Sequence, residues 1–405
     1  MSGIENGRTI SSTLSNGKRG KLVTPSAAIR NCTKTRPEPI MTDNAIPQKK
    51  QPAIHHGGAI DQAAKRYGIP AHDWLDLSTG INPIAYPVPD IDSAHWQRLP
   101  LTSELEALKS AAKHYYDLPS NGHLVAAPGT QALIQMIPFW LWERTEHHAQ
   151  LHAPQTHVMG PTYGEHERCW RRAGYDCLIH QTSPVERLAK AASILRISAP
   201  GTVLILVNPN NPDGMSFAPS DILSLGKMAH DRNCWLLVDE AFMDCQPDQS
   251  VCSYIDQMPS TIILRSFGKF FGLAGARLGC AIMAVDFATD LESRIGPWAI
   301  PGPTLIVGAK ALMDQTWQKA ARDRLNADAA RLDQLILANS KLAFAGGTNL
   351  FRYYDGCDCS ALADHLGKQG ILVRLFEHDP NKIRFGLPGR DTDWIRLEKA
   401  LLGWQ

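Results

Sequence analysis

A serine, a lysine and an arginine share one glycine-rich turn, Ser266-Phe267-Gly268-Lys269-Phe270-Phe271-Gly272 through Arg277-Leu278-Gly279. Apolar runs flank it, residues 261–264 before and 280–283 after, so two buried strands are expected to bracket the turn. A lysine among apolar neighbours has its ammonium desolvated, which lowers its pKa and frees the amine as a nucleophile. Ser266 brings a hydroxyl and Arg277 a guanidinium, the groups that hold a phosphate. A reactive amine beside a phosphate grip suits a Schiff base to pyridoxal phosphate. Taken alone, the stretch equally fits a glycine-rich loop with an exposed lysine.

Four other strand ends carry complementary groups. The run 124–127 leads into Pro128-Gly129-Thr130-Gln131 and then an apolar helical pattern. That is the geometry of an anion-binding helix N-terminus, or of a plain threonine cap. Residues 157–159 lead to Gly160-Pro161-Thr162-Tyr163, where the tyrosine can stack on a flat ring or simply pack. The run 202–207 suits a strand buried on both faces. It ends in Asn208-Pro209-Asn210-Asn211-Pro212-Asp213-Gly214, at the strand end where open α/β sheets bind ligands. There Asn211 can donate to a ligand oxygen. Residues 234–238 end in Asp239-Glu240-Ala241-Phe242. An acid at a buried strand end needs a partner. Asp239 can face a protonated pyridine nitrogen, or cap a helix.

The elements that must position these groups alternate between strand and helix, which predicts an α/β fold. The spacing also predicts a helix over 60–67, a strand over 74–78 and a loop Thr79-Gly80-Ile81-Asn82-Pro83. Ser103 and Glu106 form a capping box before Leu105, Leu108, Ala112 and Tyr115. Prolines from 297 to 303 mark a hinge, followed by a helical stretch over 307–338 and strands at 349–354 and 371–373. Expected boundaries are a disordered basic tail over 1–50, a segment 51–95 that joins a smaller domain, a large domain 96–300 and a C-terminal part 301–405.

The chain has 405 residues, 44% hydrophobic, with a formal net charge of +1. Such a chain supports a large core, and its charge favours neither nucleic acid nor a membrane surface. The longest apolar run, 133–142, is too short to span a bilayer. Nine scattered cysteines lack a framework spacing, which fits a reducing, cytoplasmic location. Cys357-Asp358-Cys359 is the one close pair and is expected to be a loop with free thiols; no metal site is expected. Residues 1–50 hold nine Lys/Arg against three acids and no sustained apolar period. They fit disorder, a start at Met41 or, less well, an organelle leader.

With these motifs in this order, the chain from about His55 onward resembles fold-type I pyridoxal-phosphate enzymes of the aminotransferase class I/II group. The resemblance implies a three-layer αβα large domain with a smaller α+β domain. Within the group it is similar to the histidinol-phosphate aminotransferase branch, and closest to the threonine-phosphate decarboxylases of cobalamin biosynthesis. The pointers are His56-Gly57-Gly58, Leu77-Ser78-Thr79-Gly80-Ile81-Asn82-Pro83, Phe242, Ile371-Leu372-Val373-Arg374 and Lys382-Ile383-Arg384-Phe385.

The resemblance gives Lys269 the covalent link to the cofactor, Asp239 its pyridine nitrogen, Asn211 its phenolic oxygen and Tyr163 its ring face. Thr130, Ser266, Arg277 and the Gly129 backbone would hold its phosphate. For a small phosphorylated amino-acid substrate, Arg384 would take the carboxylate, with Asn211 beside it. His56, Gly57 and Arg374 would lie near its phosphate, and the Gly80 backbone would line the site. A homodimer is also implied. Three positions depart from the pattern. Phe242 replaces a common tyrosine, Leu99 stands where relatives often carry a tyrosine that reaches the partner subunit's cofactor, and Gly80 often is asparagine in the decarboxylases. The implied reaction is loss of CO₂ from phosphothreonine. The alternatives are a histidinol-phosphate-type aminotransferase and a non-catalytic cofactor-binding regulator; the tail has no helix-turn-helix pattern to support the last.

Overall fold

The computed structural model describes residues 57–144, 154–377 and 379–404. The basic tail and His56 lie outside the described residues. Thirteen strands run through the described chain. The first, β1 (Leu75–Asp76), is short. Seven then build the main sheet: β2 (Gly122–Ala127), β3 (Gln155–Gly160), β4 (Asp176–Gln181), β5 (Val203–Val207), β6 (Trp235–Asp239), β7 (Thr261–Ser266) and β8 (Gly279–Ala284). Their order is β2-β8-β7-β6-β5-β3-β4. Only β8 runs against its neighbours, pairing antiparallel with β2 and β7. The other pairs are parallel.

This topology matters chemically. The carboxyl ends of β2, β3, β5, β6 and β7 fall on one edge, and β8 begins there, with Gly279 opposite both Ala127 and Ser266. Every strand-end group anticipated from the sequence therefore faces the same crevice.

The sheet is buried on both faces. Val125, Ile205, Leu237, Ile262 and Met283 join one apolar cluster with the helices Thr130–Arg144, Glu165–Arg172 and Val285–Ile295. Leu124, Leu204, Leu236, Ile263 and Ile282 alternate to the other face, where they join a second cluster with Thr102–Tyr115, Pro219–Asp231 and Gly302–Met313. Alternation of this kind within near-continuous apolar strands is what a sheet covered by helices on both sides requires. The three-layer α/β expectation matches the structure.

The remaining strands are β9 (Ala343–Thr348), β10 (Phe351–Asp355), β11 (Ile371–Leu372), β12 (Arg374–Phe376) and β13 (Asp379–Gly386). Four of them form an antiparallel sheet of order β12-β13-β10-β9, and β11 pairs in parallel with β1. Phe351, Tyr354, Ile383 and Phe385 from this sheet, with Leu350 in the turn between β9 and β10, merge into the second apolar cluster.

Several local expectations need correction. The helix over Thr102–Tyr115 starts after Leu101, and Glu104 rather than Glu106 reaches back, its Oε2 accepting from the Leu101 N–H at 2.9 Å. Glu104 also binds Arg98, and that pair draws it to the helix start. Ser103 is already inside the helix. The stretch 307–338 is two helices, Gly302–Met313 and Gln315–Asn339. They break at Asp314, whose carboxylate caps the second by accepting from Trp317 N–H at 2.9 Å. Cys359 is not in a loop; it opens the helix Cys359–Lys368 and is buried, while Cys357 is exposed. The expected strand at 349–354 begins at Phe351.

The asparagine loop after β5 is anchored from behind. Arg187, fully buried, donates to Asp213 at 2.7 and 3.4 Å, and the Asp213 carbonyl accepts from Gly347 N–H at 2.8 Å. Asp213→Ala is expected to strand the Arg187 charge in the interior. The expected loss is about 3–5 kcal/mol of folding stability, the cost of breaking a buried pair, measured by urea denaturation.

Candidate active site

Seven of the anticipated residues, Thr130, Tyr163, Asn211, Asp239, Ser266, Lys269 and Arg277, line one cavity of about 430 Å³ at the crevice edge. Each is delivered by a strand end. Lys269 lies on the single helical turn Phe267–Phe270 directly after β7. Its Nζ stands 5.7 Å from the centre of the Phe242 ring. Burial chiefly, with the Arg384 and Arg277 charges, lowers the lysine to about 8, while Asp239 pulls the other way.

This depression has a direct consequence. The fraction of neutral Lys269 amine rises as pH passes through about 8 rather than 10.5. Stopped-flow capture of an aldehyde by the cofactor-free protein is expected to speed up through that range and level off about one unit above it, where an ordinary lysine would still be gaining. The folded state, in which the charged lysine is disfavoured, correspondingly gains stability as pH rises from about 8 toward 10.5.

Arg277 adopts left-handed backbone geometry at φ 51°. This turns its guanidinium onto Gly129, where an added Cβ would sit 2.6 Å from Arg277 Nη2. Gly129 itself has φ 86°, so a side chain there would be both strained and obstructed. The helix Thr130–Arg144 starts at the next residue, offering its free N–H groups beside the arginine and the buried Ser266 hydroxyl. Hydroxyls, guanidinium and helix N-terminus together form a donor set for a phosphate.

Asp239 is buried and bonded from two sides. Its Oδ1 accepts from Ala241 N–H at 3.0 Å, and its Oδ2 lies 2.9 Å from His166 Nε2. His166 was not anticipated. The signal was there, since an acid at a buried strand end demands a partner, and His166 follows Tyr163 by three residues on the adjoining helix. Gln131, Glu165 and Arg168 also line the cavity and were missed. The Tyr163 hydroxyl donates to Gln131 Oε1 at 3.1 Å, and Gln131 Nε2 donates to Glu165 Oε2 at 2.8 Å.

Arg384 comes from β13 in the smaller sheet and is buried. Its Nη1 donates to Asn211 Oδ1 at 2.6 Å and its Nη2 to the Ser78 carbonyl at 2.9 Å. Its Nε has no hydrogen-bond partner among the described residues. No carboxylate lies within ion-pair distance of it among the described residues. Burial, together with Arg374, presses it down to about 9, low for a guanidinium but charged at neutral pH. A buried cation so placed is an anion site by its own energetics.

Gly57 and Arg374 line a second cavity of about 500 Å³, together with Ser78. Arg384 thus separates the two cavities, bonded to Asn211 in the wall of one and to Ser78 in the wall of the other. Gly57 has no room for a Cβ against the Ser78 carbonyl. A Cβ on Gly80 would lie 2.8 Å from the Phe351 ring and 2.9 Å from the Phe242 ring, so the bare backbone here lets the two aromatics close the site.

The family described as aminotransferase class I and II matches residues 90–397. The chain belongs to this family. It is 40% identical to a threonine-phosphate decarboxylase of Pseudomonas aeruginosa over 87% of this chain and 98% of that protein. It is 38% identical to one from a Sinorhizobium species over 86% and 97%. In fold it is similar to histidinol-phosphate aminotransferase from Sinorhizobium meliloti, solved in complex with pyridoxal-5'-phosphate, with a TM-score of 0.67 at 19% identity, covering 89% of this chain and 97% of that one. No helix among the described residues is long and apolar enough to cross a membrane, and no cluster there could hold a metal ion.

Proposed function

We propose that this family member is a pyridoxal-phosphate-dependent decarboxylase that converts L-threonine O-3-phosphate to CO₂ and (R)-1-amino-2-propanol O-2-phosphate. The observation that carries the reading is the identity of about 40% to threonine-phosphate decarboxylases over nearly their whole length. The sequence resemblance assigns that reaction to cobalamin biosynthesis.

The cavity residues fit the cofactor. Gly129, Thr130, Ser266 and Arg277 would hold its phosphate, Tyr163 its ring face, Asp239 its pyridine nitrogen, Asn211 its phenolic oxygen and Lys269 its aldehyde carbon. When bound, the cofactor supplies an electron sink for the pair left on the substrate's Cα. The protein's task is orientation, because the bond that breaks is the one held perpendicular to the ring. Arg384 would grip the substrate carboxylate. Arg374 and Gly57, with His56 beyond the described residues, would take the substrate phosphate in the second cavity. Fixing both ends presents the Cα–carboxylate bond for cleavage. Phe242 and Phe351 keep water from that face, and the Lys269 ammonium would return a proton to Cα.

In this reading residues 96–300 form the cofactor-binding domain, and 51–95 with 301–405 the smaller one that brings Arg374 and Arg384. The working unit is a homodimer. Its support is the exposure of Trp96, Leu99, Leu101 and Trp298, two of which line a further apolar cavity. The eight described cysteines are free thiols, as a reducing cytoplasm would keep them.

The test is to supply purified, cofactor-loaded protein with L-threonine O-3-phosphate and follow CO₂. Stoichiometric release supports the reading. No CO₂, with conversion of histidinol phosphate in the presence of 2-oxoglutarate, would establish the aminotransferase instead.

A further inference from the structure

Asn82 is buried at 2% exposure on the loop that also carries Gly80. Its backbone N–H donates to the Lys269 carbonyl at 2.9 Å. Its side-chain Nδ2 donates to the Phe270 carbonyl at 2.8 Å. Its Oδ1 accepts from Ile84 N–H at 3.1 Å and from Arg324 Nη2 at 2.7 Å. The amide orientation is thereby fixed, since the opposite one would set donor against donor and acceptor against carbonyl. The fit is tight, with an added Cβ on Gly272 lying 2.6 Å from the Asn82 carbonyl. Three separate pieces of chain meet at this one side chain: the 79–83 loop, the lysine-bearing turn and the helix Gln315–Asn339.

Phe267, Phe270 and Phe271 anchor the turn by burial in the apolar core, and Asn82 fixes the backbone carbonyls between those anchors. The helical segment that carries Lys269 is four residues long, too short to be stable by its own hydrogen bonds. Its carbonyls at 269 and 270 point to Asn82. We infer that Asn82 is a positioning residue for Lys269, holding the lysine-bearing turn in the register that sets Nζ at the reacting carbon. It touches neither substrate nor cofactor and acts through the backbone of 269 and 270. The inference rests on the reading of Lys269 as the reactive amine.

The charges that act on Lys269 are those of Arg384, Asp239 and Arg277. None is altered by changes at Asn82 or Arg324, so a displaced lysine is distinguishable from a changed field. The experiment compares Asn82→Ala, which removes the bond to the Phe270 carbonyl, with Arg324→Met, which removes a bond to the same amide but leaves both contacts to the lysine turn. Both variants are expected to melt at lower temperature. Asn82→Ala is expected to lose about 10- to 100-fold in kcat, the scale on which misplacement by about an ångström acts, with KM changed less than about twofold. The pH midpoint of the visible absorbance band of the loaded enzyme is expected to rise, because a loosened lysine is better hydrated and hydration favours the charged form. Arg324→Met is expected to keep the parent kcat and midpoint. If Asn82→Ala does not fold, Asn82→Ser, which is smaller and cannot reach both partners, is read by the same midpoint. An unchanged midpoint and kcat in the asparagine variants, or equal changes in Arg324→Met, would overturn the inference and leave Asn82 a stability residue. Borohydride reduction and peptide mapping of the parent separates this from failure of the underlying reading, which would show as cofactor label on a residue other than Lys269.

Discussion

Lys269→Ala is expected to abolish turnover of L-threonine O-3-phosphate, by about 10³-fold or more, within the range that loss of a general acid–base group costs. Two functions vanish together. The amine that captures the cofactor's aldehyde carbon is gone, and so is the acid that returns a proton to Cα. Folding should survive, because the lysine is desolvated and its pKa is pressed down to about 8, so its removal relieves a buried charge. The phosphate grip of Thr130, Ser266 and Arg277 remains, so the variant should still bind the cofactor, now reversibly. Dialysis followed by absorbance measures that retention. Partial return of turnover on adding a small primary amine would show that the lost group is the amine itself. Full activity in the variant would remove Lys269 from the mechanism.

Arg384→Leu is expected to separate function from stability. The guanidinium is buried, with Asn211 and the Ser78 carbonyl as its hydrogen-bond partners. Buried charge without a counter-ion is expensive, so replacing it with a side chain that packs on Phe351 should leave the melting temperature nearly unchanged or raise it. Phe351 already lies under the guanidinium at 4.7 Å. The substrate carboxylate loses its cation, and truncating one partner of a buried charge pair costs about 2–5 kcal/mol. That corresponds to a fall in kcat/KM of roughly 30- to 5,000-fold. Steady-state kinetics beside a thermal melt decides the point. Loss of activity accompanied by an equal loss of fold would make Arg384 a structural residue.

Much of this site was legible because α/β sheets put ligand groups at strand ends and strand ends are marked by apolar runs. The strands before Thr130, Tyr163, Asn211, Asp239 and Lys269 are such runs, and each ended within two residues of its expected boundary. The strand β4 was invisible for the converse reason. It is the sheet's edge, partly exposed, and Asp176-Cys177-Leu178-Ile179-His180-Gln181 alternates too weakly to stand out. The strand β9 hides behind Gly346 and Gly347, where the ladder shifts register at the facing Tyr353.

Groups that act through tertiary approach left fainter marks. Asn82 looked like part of a turn signal, because asparagine before proline is common in turns. Its partners at Phe270 and Arg324 are 188 and 242 residues away, and no local pattern reports them. His166 belongs to a helix of mostly charged residues, and only the need of Asp239 for a partner points to it. Arg374 and Arg384 drew meaning from family resemblance alone; what the structure adds is that Arg384 lies between two cavities and bonds to the walls of both.

The most direct measurement follows nitrogen and hydrogen together. Cofactor-loaded protein is given ¹⁵N-labelled L-threonine O-3-phosphate and excess 2-oxoglutarate in deuterated water, and the products are read by mass spectrometry. Orientation by Arg384 with proton return from Lys269 predicts CO₂ in equal amount to an amino-propanol phosphate that keeps its ¹⁵N and carries one solvent deuterium on the carbon that bore the carboxylate. Transfer of ¹⁵N to glutamate without CO₂ would contradict it.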